Sequence, residues 1–218
     1  MMKQKLSLYF VMGSVDCTKD PLAVLDEAIE GGITMFQFRE KGKGALTGIE
    51  KYRLAEKLLE RCLAHNIPFI VNDDVDLALA LQADGVHVGQ EDEAAERVRD
   101  RIGDHKYLGV SVHNLNEVKK AIAVRADYVG LGPIFPTVSK DDAKQACGLT
   151  MIEHIRAHEK HVPLVAIGGI TEQTSKQVIE AGADGIAVIS AICRAKHICE
   201  QTKRLYEIVM RTKQKGDR

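Results

Sequence analysis

The chain has 218 residues, 45% hydrophobic and 28% charged, enough apolar material for one soluble domain with a sizeable core. Thirty basic residues against thirty-one acidic leave a formal charge of −1, which removes the global electrostatic footprint of a nucleic-acid binder or of a protein held on an anionic membrane. The five cysteines, odd in number and without CxxC or zinc-type spacing, argue against a disulfide framework and for a reducing cytoplasm.

The chain begins "MMKQKLSLYFVMGSVD", lysines before a short apolar run that soon meets Asp16, Lys19 and Asp20 without a small-residue cleavage pattern. It reads as a first strand and not as a secretory leader. No apolar stretch is long enough to span a bilayer. "DPLAVLDEAIEGG" then carries apolar residues at helical spacing, and "ITMFQFRE" follows as a second strand. After the long amphipathic "GIEKYRLAEKLLERCLAHN" come "PFIVND", "GVHVG", "YLGVSV", "YVGLGP", "PLVAIGG" and "GIAVIS", with helical patterns between them, which brings the count to eight strands.

Alternating strands and helices predict parallel strands with crossover helices, and eight such units in a chain of this length predict a single (β/α)8 barrel over residues 1–218. A doubly wound open sheet is the alternative; it would carry G-x-G-x-x-G after its first strand, and none is there. "QADGVHVG", "RADYVGLG" and "GADGIAVIS" repeat one local solution, Ala-Asp before a strand. The basic tail from about residue 211 reads as frayed, and the polar segment from Pro133 to about Gly148 as a lid or binding loop. No exposed apolar stripe separates from the core, so a homo-oligomer stays open.

Reactive groups of such a barrel gather at the carboxyl ends of its strands. In "QFREK" the alternation of a strand places Gln37, Arg39 and Lys41 on one side and Phe36 and Phe38 on the other. Arg39 and Lys41, with Lys140 from the long loop, suit a phosphate chain, Arg39 as a bidentate fork and the lysines as point charges. Asp73 and Asp92 end neighbouring strands and together suit a hard divalent cation such as Mg²⁺, which is held by one or two carboxylates plus substrate oxygens. The competing reading is that "NDD" and "QED" cap the helices that follow. Asn72, Ser111, Thr137 and Ser139 add neutral polar groups. Gly168-Gly169 and Ile189-Ser190, before the last helices, suit a phosphate held by backbone N–H groups. His87 and His113 read as hydrogen-bonded barrel residues, the cysteines as small hydrophobes.

"QFREK", "FIVNDDVDLALALQADGVHVGQED", "LGVSVH", "YVGLGPIFPT", "AIGGIT" and "GADGIAVIS", in this order, resemble the thiamine-phosphate synthase family. The resemblance implies condensation of a hydroxymethylpyrimidine diphosphate with a thiazole phosphate, giving thiamine phosphate and pyrophosphate. It implies Asp73 and Asp92 as Mg²⁺ ligands, and Gln37, Arg39, Lys41, Asn72 and Lys140 around the diphosphate. Ser111 would lie close to the reacting pyrimidine, Thr137 and Ser139 would add hydroxyl contacts, and Gly169, Ile189 and Ser190 would take the thiazole phosphate. Lys140, Arg39 and Ser111 would then carry catalysis. The family often has Thr-x-Thr-Lys in the long loop; here Ser139 keeps the hydroxyl and loses a methyl. Two other functions fit the same barrel: a thiazole tautomerase that needs neither diphosphate nor metal, and a regulator that binds thiamine precursors without turnover.

Overall fold

The computed structural model describes residues 2–137 and 145–216. Eight parallel strands, β1 (Leu8–Met12), β2 (Met35–Phe38), β3 (Phe69–Asn72), β4 (Gly85–Val88), β5 (Tyr107–Val112), β6 (Tyr128–Leu131), β7 (Leu164–Ile167) and β8 (Gly185–Val188), follow one another around a closed barrel. The ring shuts where β1 pairs with β8, Tyr9 opposite Ala187. Helices α1 (Met2–Lys5), α2 (Pro21–Gly31), α3 (Gly48–Ala64), α4 (Val75–Ala80), α5 (Ala95–Ile102), α6 (Leu115–Ala123), α7 (Leu149–His158), α8 (Glu172–Glu180), α9 (Ser190–Cys193) and α10 (Ile198–Gly216) cover it. The fold is a (β/α)8 barrel, and all eight strands expected from the sequence are present.

Local chemistry sets the helix ends. Asp20 accepts a hydrogen bond from the Ala23 N–H while Pro21 fills the first turn, and Gly32 ends α2 in the left-handed region at φ 98°. Asn114 caps α6 in the same manner through the Glu117 N–H. Between strands and helices the outer strand faces supply the core: Phe10, Phe36, Phe38 and Phe69 are buried and meet ring to ring at 5.6–6.4 Å between centroids. Each such side chain contributes roughly 1.5–3 kcal/mol through burial.

The Ala-Asp repeat has a structural cause at the amino-terminal mouth. Asp84, Asp127 and Asp184 each precede an even-numbered strand and accept from the first N–H groups of the strand before it, those of Phe69, Leu108 and Leu164, each at 2.8 Å. Thr34 does the same for the Leu8 N–H at 2.8 Å. Two arginines reinforce the pattern: Arg99 bonds Asp127 at 2.6 Å, and Arg156 bonds Asp184 at 2.7 Å. Both also tie down backbone carbonyls, those of Gly103, Lys106 and Arg125 for Arg99, and of Gly182 and Val162 for Arg156.

The tail departs from expectation. Its composition suggests fraying from about 211, yet α10 continues through Gly216. The Lys213 ammonium donates to the carbonyls of Lys3 and Asp184 and to Ser7 Oγ at 2.8–3.2 Å, which fixes the last turns against the first strand.

Candidate active site

A cavity of about 640 Å³ opens at the carboxyl ends of the strands. Lys41, Asp92, Ser111, Thr137, Gly169, Ile189 and Ser190, all singled out from the sequence, line it. Gln37, Arg39, Asn72 and Asp73 do not form its wall, although Asp73 meets it through Lys41 and Asp92. Ser139 and Lys140 lie outside the described residues.

The "QFREK" segment arranges itself by strand alternation, as expected. Phe36 and Phe38 join the outer core, while Gln37, only 4% exposed, turns into the barrel and donates from Nε2 to the Tyr9 hydroxyl at 2.9 Å. Arg39 is buried just beyond the strand. Glu40 does not serve as its counter-ion: that carboxylate accepts from Ser14 N–H, Ser14 Oγ and Leu46 N–H and so clamps two loops together. Asp16 feels the Arg39 charge: burial raises its pKa, and the Gly13 N–H and the Arg39 guanidinium oppose that rise.

Lys41 reaches across to both acids, with Nζ 2.8 Å from Asp73 and 3.8 Å from Asp92. Asp73 occupies the left-handed region at φ 62°, which Asp tolerates better than most side chains and which Asn66, Gln82 and Arg125 also adopt. Burial, and then the neighbouring Asp92, push the Asp73 carboxyl up to about 6, with Lys41 opposing. Asp92, despite its own partial burial, is held below the usual carboxylate range by its bond with Asp73, the Gly89 N–H and Lys41. Two carboxylates that share a site behave this way, and the pair titrates as a unit.

The capping alternative applies to the adjacent acid. Asp74 caps α4 through the Leu77 N–H and pairs with Lys51, which leaves Asp73 to the site. Asp92 caps no helix either, since α5 starts after Ala94 without a side-chain cap; one Asp92 oxygen accepts from Gly89 N–H at 2.7 Å and the other faces Lys41. Among the described residues no group of three His, Cys, Asp or Glu side chains converges as a metal cage. Two paired acids beside an open cavity match a cation whose remaining ligands come from substrate and water.

On the opposite wall, Gly168 and Gly169 have φ of 100° and 63°, and an added Cβ would lie 2.5 Å from Pro133 or 2.6 Å from the Pro136 carbonyl. Glycine is required there because the long loop folds over the turn: Ile134 and Phe135 N–H bond the carbonyls of Ile167 and Gly168. The far end of that loop returns, Cys147 and Gly148 donating to Pro133 and Ile134 carbonyls, so both ends of the segment are tied beside the cavity.

The barrel interior holds what the sequence reading overlooked. Tyr9 and Tyr128, fully buried, bond hydroxyl to hydroxyl at 2.7 Å. His87 Nδ1 lies 3.1 Å from the Tyr128 hydroxyl, and its Nε2 lies 2.8 Å from Ser111 Oγ. His113 bonds Glu117 at 2.9 Å, so both histidines are hydrogen-bonded as expected. The signal for the tyrosines was period two: Tyr9 and Tyr128 lie on the strand faces that share Gln37 and His87. All five cysteines are free thiols.

Comparison with known proteins places this geometry. A family model described as thiamine monophosphate synthase matches residues 8–192. The thiamine-phosphate synthase of Anoxybacillus flavithermus is 92% identical over 218 residues, the full length of both chains. That of Bacillus cereus is 55% identical over 211 residues, 97% of this chain and 96% of its own. Among solved structures, a thiamine phosphate pyrophosphorylase from Pyrococcus furiosus superposes with a TM-score of 0.87 at 34% identity, covering 97% of this chain and 99% of the other.

Proposed function

The chain belongs to the thiamine monophosphate synthase family, and from that premise we propose that this transferase joins a pyrimidinylmethyl diphosphate to a thiazole phosphate, releasing pyrophosphate. The observation that carries the assignment of the site is the convergence of Lys41, Asp73 and Asp92 at the rim of a cavity large enough for two small substrates. A thiazole tautomerase would have no use for that charge cluster; a binding regulator would share it, and turnover separates the two.

Asp73 and Asp92 would hold Mg²⁺, and the cation would supply neutralisation of the departing diphosphate. The chain's own residues do the rest. Arg39 and Lys41 offer positive charge where negative charge accumulates, Lys140 would add to it, and Asn72 and Gln37 would help seat the pyrimidine half. Gly169, Ile189 and Ser190 receive the thiazole phosphate, with Thr137 and Ser139 adding hydroxyls. The electron-rich aminopyrimidine stabilises a cationic exocyclic methylene, so the C–O bond breaks with its electron pair leaving on pyrophosphate. The thiazole nitrogen lone pair then forms the new C–N bond. No protein nucleophile is required, and the protein's share is alignment and electrostatics. Five free thiols favour the reducing cytoplasm as the place of action.

The test is to incubate the protein with both substrates and Mg²⁺ and to measure pyrophosphate and thiamine phosphate together. Equal release of the two, abolished by chelation and restored by Mg²⁺, is the expected result. Tight calorimetric binding of both substrates without product would overturn the assignment in favour of a regulator.

A further inference from the structure

Most barrels of this type fill their interior with branched aliphatic side chains. This one devotes a layer to Gln37, Tyr9, Tyr128 and His87, leading to Ser111 at the cavity wall. The arrangement is built in: a Cβ at position 109 would lie 2.3 Å from the Tyr128 ring and 2.4 Å from His87 Nδ1, and one at 130 would lie 3.1 Å from His87 Cε1. Gly109 and Gly130 exist as glycines to admit the two rings.

The order of atoms gives the chain a direction. The Gln37 amide nitrogen can only donate, so Tyr9 Oη accepts from it. The buried Tyr9 hydroxyl has two partners among the described residues, the Gln37 amide and the Tyr128 hydroxyl, and its own hydrogen goes to Tyr128 because a buried donor left unpaired is costly. Burial raises both tyrosines above their ordinary pKa, so each keeps its hydrogen. Tyr128, already accepting from Tyr9, donates to His87 Nδ1. His87 is thereby held as the tautomer protonated at Nε2, which donates to Ser111 Oγ at 2.8 Å. The Ser111 hydrogen is then directed away from His87, toward the cavity that Ser111 lines.

We propose that Tyr9, Tyr128 and His87 are positioning residues that hold the Ser111 hydroxyl as a hydrogen-bond donor toward a lone-pair-bearing atom of the bound pyrimidine substrate. The donor role rests on the condensation proposed above; the direction of the chain does not. Without the relay, Ser111 would be free to donate to His87 and to meet the substrate as an acceptor, misaligning the reacting methylene.

Two measurements test this. In the substrate-free protein, ¹⁵N shifts of the His87 ring report the tautomer, and protonated Nε2 with an unprotonated Nδ1 is the expected result. A proton on Nδ1 would overturn the chain whatever the enzyme does. In steady-state kinetics, Tyr128→Phe, which touches no substrate, is expected to lower kcat by roughly tenfold with little change in KM. Ser111→Ala is expected to lower it by tenfold or more. The double variant should stay within about twofold of Ser111→Ala, since Tyr128 acts through that hydroxyl. Losses that multiply would overturn the relay. A wild-type protein that releases no pyrophosphate would remove the functional reading and the donor role with it, while the tautomer still decides the chain.

Discussion

The two mouths of the barrel use the same ingredients in opposite balance. At the amino-terminal mouth Arg99–Asp127 and Arg156–Asp184 are unlike charges in contact, each arginine also holding carbonyls of its own unit and of the next one. At the carboxyl-terminal mouth two acids face each other with Lys41 between them, and the Asp73 carboxyl is pushed up to about 6. One end is paired internally, with the buried Arg99 Nε the exception, and serves stability. The other retains electrostatic tension that an incoming cation and a diphosphate would relieve, so its groups act on something from outside.

That contrast predicts which end each substitution should disturb. The largest effect is expected from Arg156→Ala, which leaves Asp184 with Lys3 as its remaining cation and unties the carbonyls of Gly182 and Val162. Urea unfolding followed by circular dichroism should show a loss of about 3 kcal/mol, with unchanged kcat per folded molecule. A fall in kcat at full stability would erase the division between the two ends. Next, Arg39→Ala and Lys140→Ala should each slow single-turnover pyrophosphate release by about a hundredfold while the unfolding midpoint moves little. A normal rate in both would remove the leaving-group role.

A smaller effect concerns the acid pair. At the proposed site Mg²⁺ would bind the ionised Asp73 carboxylate, so apparent Mg²⁺ affinity should be flat above pH 6 and weaken by up to about tenfold per unit below it. Mg²⁺ titrations of the rate from pH 5 to 8 would reveal that break. The smallest expected change is a gain: in metal-free buffer at pH 7.5, Asp73→Asn should stabilise the fold by about 1 kcal/mol while abolishing Mg²⁺ activation. The sign follows from the shift. The folded carboxyl titrates near 6 against 3.8 for the ordinary group, so the folded state binds the proton more tightly. Wild type therefore loses stability as pH rises through that window, and the advantage of Asn should vanish below about pH 4.

Sequence reasoning reached the strands because each is a short apolar run beside a helix with readable caps. It brought Asp73 and Asp92 together because they end neighbouring strands, and the structure sets Lys41, picked out by strand alternation for a phosphate, between them. Tyr9 and Tyr128 escaped it, since a tyrosine in an apolar strand looks like core until its hydroxyl is seen to meet another. The Ala-Asp echo was visible but not its cause, because the strand N–H that each aspartate holds comes 15 to 20 residues earlier in the chain. The tail misled because lysine-rich composition looks solvated, and nothing local says that the Lys213 ammonium will find three oxygens elsewhere.

That contact also bears on how the molecule is made. Each aspartate staple joins segments that a ribosome delivers within seconds of one another, so successive units can set while later ones are still being added. Lys213 instead spans 210 positions to reach Lys3 and holds the seam beside β1 and β8. A growing chain therefore carries one open edge of β1, its other edge already on β2, until β8 and α10 have been made.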